Sequence, residues 1–177
     1  MPSRKRIFVL DTSAILAGFQ SSLPGAESYT TQLVISEARR KLAQEKREDN
    51  LDIGSLIVME PSLETIESVI LQASKMGESA NLSSVDISIL SLAKQLSQDP
   101  SNKVEILSND YSIQNMSNAM GLAYYSFGTQ RIKKEINWVY YCKGCRRKYQ
   151  HPPKRMNCVY CGSQIIRKPR DTRHIKP

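Results

Sequence analysis

Two sets of residues in this sequence have types and spacings suited to chemistry. The first is Cys142-x2-Cys145 followed, after twelve residues, by Cys158-x2-Cys161. Each pair can turn two thiolates toward one ion, and two such turns complete a sulfur tetrahedron. Gly144 and Gly162 suit the tight backbone of those turns. With sulfur at all four positions no place remains for water or substrate, so the expected ion is a structural zinc. Disulfides or a redox pair are the competing uses of the same thiols. A reducing compartment disfavours the first. Two matched pairs in a basic C-terminal region, away from any βαβ start, disfavour the second.

The second set is four carboxylates: Asp11, Glu37, Asp86 and Asp110. Each falls near a predicted helix N-terminus, and Asp11 and Asp110 directly follow predicted strands. In parallel α/β sheets the crevice at the strand carboxyl ends binds ligands, so acids from several such loops can converge there. The plainer reading is local. A carboxylate at a helix start satisfies free N–H groups and favours the helix dipole. Ser83-x-x-Asp86 has capping-box spacing, Asp110 suits an N-cap, and Glu37 can pair with Lys41 one turn on. Spacing leaves both readings open. The two histidines, His151 and His174, lie in the basic C-terminal region and read as loop residues, not as an acid–base pair.

The elements that would position these groups alternate. Ile7–Leu10 reads as a buried strand, and Asp11-Thr12-Ser13 opens a helix to about Phe19. Residues 20–31, with Pro24 and Gly25, read as a loop. Leu33-Val34-Ile35 leads into a helix with a charged face of Arg39, Arg40, Lys41, Lys46 and Arg47, punctuated by Asp49, Asn50 and Gly54. Leu56–Met59 is a second strand. Ser62 caps a helix with Leu63, Ile66, Ile70 and Ala73 at helical spacing, closed by Gly77. Ser83 or Ser84 caps the next, with Ile89, Leu92, Ala93 and Leu96 on one face. Val104–Leu107 is a third strand, Ser108-Asn109-Asp110 starts a helix ended by Gly121, and Leu122–Phe127 is a fourth strand. This alternation predicts an α/β fold with a mainly parallel central sheet flanked by helices. From Trp138 the pattern changes to short Tyr- and Cys-rich pieces. The predicted organisation is a larger α/β domain over 1–128, a linker or hinge helix over 129–138, a small four-cysteine zinc ribbon over 139–168 and a mobile basic tail over 169–177.

Charge divides along the same line. Residues 1–128 carry 11 Lys+Arg against 15 Asp+Glu, a net of −4, whereas residues 129–177 carry 14 against 2, a net of +12. A basic region of this density serves either solubility or a polyanion, and nearby phosphates make such binding strong and salt-sensitive. Lys143, Arg146, Arg147, Lys148, Lys154 and Arg155 are interleaved with Tyr140, Tyr141, Tyr149 and Tyr160 around the cysteines. That mixture suits RNA, with basic groups on phosphates and tyrosines such as Tyr149 against bases, although the ribbon is equally able to bind a protein and some tyrosines must form its core. No apolar run approaches the roughly 20 residues of a membrane span. The N-terminus lacks the long apolar stretch of a secretory signal. The expectation is a cytoplasmic protein with no membrane partner.

The segments VLDTSAIL, LVISEARRKL, SSVDISILSLAKQL and ILSNDYSIQNMSNAMGL resemble, in this order, the motif blocks of PIN-domain ribonucleases over about residues 5–127. With the ribbon added, the chain looks like the archaeal form of the endonuclease that matures the 3′ end of small-subunit ribosomal RNA. The resemblance implies an acidic site for Mg²⁺ or Mn²⁺ built from Asp11, Glu37, Asp86 and Asp110, with Thr12 and Ser13 as hydroxyl residues orienting the first Asp. It implies hydrolysis of an RNA phosphodiester. It also implies precursor small-subunit rRNA, the small ribosomal subunit and other assembly factors as partners. Many relatives carry two adjacent acids at the last motif, where this chain has Asn109 before Asp110. Two other readings compete. One is a non-catalytic RNA- or ribosome-binding factor, and the other a toxin-type PIN ribonuclease cutting transfer or messenger RNA, which is typically a PIN domain alone.

Overall fold

The computed structural model describes residues 4–21, 23, 25–45, 54–127, 134–149, 151, 153 and 155–174. Its larger part is a five-stranded sheet of β1 (Lys5–Leu10), β2 (Glu27–Thr30), β3 (Leu56–Val58), β4 (Asn102–Leu107) and β5 (Ala123–Tyr125). The strand order is β3-β2-β1-β4-β5 and every pairing is parallel. Helices α1 (Thr12–Leu16), α2 (Gln32–Gln44), α3 (Leu63–Met76), α4 (Ser84–Leu96) and α5 (Tyr111–Ala119) connect the strands. The central strands β1 and β4 end in the apolar runs Ile7-Phe8-Val9-Leu10 and Ile106-Leu107, which are buried, as strands covered by helices on both faces must be. Helical spacing and caps behave as the sequence predicts for α3, with Ser62 as N-cap and Gly77 in the left-handed conformation at its end.

The sheet reverses its order of growth between β1 and β4. They run in register from Lys5↔Asn102 to Leu10↔Leu107, so their carboxyl ends open side by side. Asp11 follows the first strand, and Ser108, Asn109 and Asp110 follow the second. A crevice at such a reversal is where open α/β sheets bind ligands.

Two expectations change in this domain. The stretch read as a loop over 20–31 contains the strand β2, and the helix expected to reach Phe19 stops at Leu16, with a 3-10 turn at Phe19–Ser21. Strand β2 has no apolar run, yet Ser28 and Thr30 are buried. The Thr30 hydroxyl is satisfied by the Leu10 carbonyl at 3.0 Å, and next to it Thr31 exchanges a bond with Ser88 at 2.8 Å. Buried hydroxyls with partners cost little.

The linker and tail also differ. Lys134–Cys142 is strand β6, Lys148–Tyr149 is β7 and Ile165–His174 is β8, forming an antiparallel sheet in the order β7-β6-β8. Residues 134–138 are therefore the start of the ribbon's stem, and 169–174 are its other side, paired from Lys134↔His174 to Cys142↔Ile165. His174 sits on a strand, not in a loop. The remaining linker residues 129–133 and tail residues 175–177 lie outside the described residues, as do Lys46, Arg47, Asp49, Asn50 and Lys154.

The stem packs against α3 and α5. Glu78, 2% exposed, accepts from Trp138 Nε1 at 2.8 Å, Asn115 Nδ2 at 2.8 Å and Arg167 Nη2 at 2.6 Å. These donors on one buried carboxylate offset its loss of hydration, and losing Arg167 would leave its charge unpaired. Asn118 donates to Glu135 at 2.6 Å, while His151 Nδ1 meets Ser74 Oγ at 2.8 Å. A Cβ on Gly77 would lie 2.6 Å from the Trp138 carbonyl, so only glycine admits the stem here. Among the described residues no helix is long and apolar enough to cross a membrane.

Candidate functional site

All four predicted acids line one cleft of about 420 Å³ at the carboxyl ends of β1 and β4. Each is also held by its own helix, so the local and the convergent readings are both correct. Asp11 is the N-cap of α1: Oδ1 accepts from the Ala14 amide at 2.7 Å and the Ser13 hydroxyl at 2.8 Å. Asp86 completes the capping box of α4, with Oδ2 taking the Ser83 amide at 2.7 Å. Asp110 caps α5, Oδ1 accepting from the Ser112 amide at 2.6 Å and the Ile113 amide at 3.2 Å. Glu37 lies within α2, where Thr12 Oγ1 donates to Oε2 at 2.5 Å and Lys41 Nζ meets Oε1 at 3.0 Å. Capping fixes the three aspartates, and Thr12 and Lys41 fix Glu37, without removing any of them from the cleft.

The field inside the cleft resists ionisation. Burial pushes the Asp11 carboxyl above the ordinary range, against the hydrogen bonds from Ser108, Ala14 and Ser13, and the neighbouring Asp110 pushes further. Burial raises Asp86 as well, with Asp110 and Glu37 adding to it. At Glu37 burial also pushes upward, but the Thr12 and Lys41 bonds prevail and hold its carboxyl low. Buried carboxylates gathered around one cleft favour a hard cation with oxygen ligands. The oxygen-only donor set fits Mg²⁺ or Mn²⁺. The acids stand farther apart than ligands clasping an ion: among the described residues only the four cysteines form a cluster close enough to hold a metal.

Two supporting roles differ from the sequence reading. Ser13 orients Asp11 as expected, but the Thr12 hydroxyl turns to Glu37. Ser108 is not a candidate by sequence; its hydroxyl accepts from the Asp110 amide at 3.0 Å and it also bonds the Asp11 carboxyl. Its only sequence signal is its place at the end of β4. Asn109 lines the cleft and accepts from Ser126 at 3.1 Å.

The second site is assembled. The sulfurs of Cys142, Cys145, Cys158 and Cys161 all lie within 4.8 Å of one another. Cys142–Cys161 and Cys145–Cys158 are each 3.5 Å apart, close to the edge of about 3.8 Å that a tetrahedron of 2.3 Å zinc–sulfur bonds requires. A Cβ on Gly144 would collide with Ser163, so the first knuckle closes only over glycine. Tyr149 meets Cys158 Sγ at 3.0 Å, and this hydrogen bond holds that thiol down to about 6. Tyr149, expected to face RNA, thus packs against the ribbon's small core of Tyr140, Cys142, Cys158 and Ile165. Lys143, Arg146, Arg147, Lys148 and Arg155 are exposed around it. The Arg147 guanidinium lies 3.8 Å over the Tyr160 ring.

A family model described as the PIN domain of ribonuclease matches residues 8–96. The chain is 35% identical to Endoribonuclease Nob1 of Pyrococcus abyssi over 165 residues, 93% of this chain and 95% of that one. It is 34% identical to Endoribonuclease Nob1 of Methanothermobacter thermautotrophicus, covering 90% and 91% of the two chains. Ribonuclease VapC1 of Thermoplasma acidophilum is 30% identical, covering 91% of this chain and 77% of its own.

Proposed function

We propose, from the premise that this chain belongs to the PIN-domain endoribonucleases, that it hydrolyses a phosphodiester in precursor small-subunit (16S) ribosomal RNA to form the mature 3′ end. Endoribonuclease activity comes with the family, and the non-catalytic reading is not favoured. The observation that carries the site assignment is the convergence of Asp11, Glu37, Asp86 and Asp110 on one cleft. The ribosomal substrate rests on similarity to the Nob1 proteins over most of the chain. The match to a protein named VapC1 is nearly as long, so coverage does not by itself separate the two substrate classes.

Asp11, Asp86 and Asp110 would hold the Mg²⁺ or Mn²⁺, with Glu37 at a second ion or on the attacking water. When bound, the cation lowers the pKa of coordinated water and stabilises charge on the phosphate and leaving oxygen. The chain's own contribution is placement. Ser13 and the Ala14 amide fix Asp11, while Thr12 and Lys41 fix Glu37. The cysteines would hold a structural zinc, for which a cytoplasmic setting keeps the thiols reduced. An acidic cleft repels RNA. Lys143, Arg146, Arg147, Lys148 and Arg155, with Lys154 of the same basic run, would supply the phosphate contacts that the cleft cannot. The small ribosomal subunit and its assembly factors are the partners this reading expects.

The test is cleavage of a precursor rRNA fragment spanning the 3′ end, with Mn²⁺ or Mg²⁺, by wild type and Asp11→Asn. Wild type should cut at one position. Loss of a hydrogen-bonding neighbour of a metal ligand costs about 10–100-fold, so removing a ligand should cost more than that. Equal cutting by the two proteins would overturn the site assignment. Specific cutting of transfer RNA in place of the precursor would move the chain to the other substrate class.

A further inference from the structure

We propose that the pocket between the first turn of α5 and strand β6 is a nucleotide-binding subsite for the RNA strand that enters the acidic cleft. This rests on the endoribonuclease reading and adds where the substrate lies beside the cut. The two cavities share a wall. Asp110 and Ile113 line the cleft, whereas Tyr111 and Ser112 of the same turn line the pocket. Asp110 and Tyr111 are consecutive, their Cα atoms about 3.8 Å apart, so the pocket adjoins the cleft across the first turn of α5. The pocket, about 190 Å³, suits one base and not a duplex.

Its chemistry is that of a single-strand site, aromatic surface beside a cation. Tyr111 keeps 49% of its surface exposed directly after a cleft carboxylate. Lys134, the exposed first residue of β6, brings positive charge beside acids that repel phosphate. Arg167 also lines the pocket but is committed elsewhere, paired with Glu78 at 2.6 Å and lying 3.9 Å over the Trp138 ring. It braces the wall; the proposed contacts are Lys134 to phosphate and the half-exposed Tyr111 to a base. The walls are set before RNA arrives. Asn115 donates to the Ile136 carbonyl at 2.9 Å and accepts from its amide at 2.8 Å, and buried Glu78 ties Asn115, Trp138 and Arg167 together. A preformed site loses less entropy on binding.

Trp138 is the only tryptophan in the chain and lines this pocket, so its fluorescence reports on it. It also lines a second cavity with Lys75, which supplies a control. The full chain carrying Asp11→Asn, which retains a good N-cap but should not cut, is titrated with a single-stranded oligoribonucleotide spanning the cleavage site. Emission should change on binding. Tyr111→Ala should weaken affinity about five-fold or more, from roughly 1 kcal/mol of stacking, while Tyr111→Phe stays close to the parent. Lys134→Ala should flatten the salt slope by about 0.7, and Lys75→Ala should do neither. RNA binding seen by anisotropy with unchanged emission would overturn the subsite, as would parent-like affinity in both Tyr111→Ala and Lys134→Ala. Failure of the enzyme reading looks different: the wild-type chain would bind RNA with these same dependences and cut none.

Discussion

The cysteine cluster and the acidic cleft are both sets of four metal-seeking side chains, yet they are built to opposite plans. The sulfurs lie within 4.8 Å of one another, on two knuckles of one small sheet. The carboxylates come from four helices around a space of about 420 Å³ and stay apart. The ribbon's ligands are also its core, since Cys142 and Cys158 are two of its four buried residues. The larger domain has an independent apolar core of Ile7, Val9, Leu90, Leu92, Ile106 and others, and its acids contribute nothing to it. A site that completes its own coordination supports structure. One that leaves its ligands spread, three pinned at helix caps and Glu37 by Thr12 and Lys41, has room for a phosphate to enter.

The comparison is broken most directly by removing metal. Apparent binding energies of structural zinc are about 10–16 kcal/mol and are folding energies for such small modules. Zinc chelation, or Cys158→Ser, should therefore melt the tip around Cys142–Cys161 and release about one zinc per chain, with loss of ribbon signals in an NMR spectrum. The parallel sheet should persist. Removing Mg²⁺ or Mn²⁺ should leave both regions folded. A ribbon that keeps its spectrum without zinc would show that the cysteines are not a structural centre.

A smaller effect separates placement from ligation. Thr12→Val removes the hydroxyl at 2.5 Å from Glu37, and Ser13→Ala the one at 2.8 Å from Asp11. Both should lower the cleavage rate by about 10–100-fold, the usual cost of losing a hydrogen bond that orients a metal ligand, with folding unchanged by circular dichroism. A wild-type rate in Thr12→Val would remove Glu37 from the reaction. The same substitutions have no counterpart in the ribbon, where Tyr149→Phe should leave zinc bound because four sulfurs suffice.

What was legible in the sequence follows from how each part is stabilised. Apolar runs such as Ile7–Leu10 and capped helices such as α3 announce themselves because their burial is written in residue type. The Cys-x2-Cys pairs are equally plain, since two matched pairs twelve residues apart fit a four-sulfur site better than a single redox pair. Strand β2 was hidden because Ser28 and Thr30 are buried polar residues, Thr30 satisfied by the Leu10 carbonyl of the neighbouring strand. The stem was hidden for a related reason. Residues 169–174 read as part of a mobile basic tail opening on Pro169, and proline interrupts a ladder. Yet β8 is an edge strand, and Pro169 faces Trp138 beside the register shift at Asn137, where a missing N–H is tolerated. Glu78 carries no motif at all. Its importance exists only once Trp138, Asn115 and Arg167 meet around it. The acids were legible one at a time as caps, while their meeting depended on the β1–β4 register.

The smallest expected effect sharpens the contrast in energetic terms. Burial and the neighbouring Asp110 hold the Asp11 carboxyl above its ordinary value, which for an unfolded Asp is about 3.9. Between the unfolded and the raised folded value, the native state binds more protons than the unfolded one. Stability therefore falls as pH rises through that window, and the deficit remains at neutral pH. Asp11→Asn removes the charge while keeping an N-cap. Without divalent ions at pH 7, the variant should melt above wild type, by about 2–4 °C for each kcal/mol relieved. Below the ordinary carboxylate range the two should converge, because both side chains are then neutral. Mn²⁺ should raise the wild-type midpoint more than the variant's, since a ligand bound only to the native state stabilises it. A variant that melts lower at pH 7, or that gains as much from Mn²⁺ as wild type does, would mean that Asp11 is a cap and nothing more.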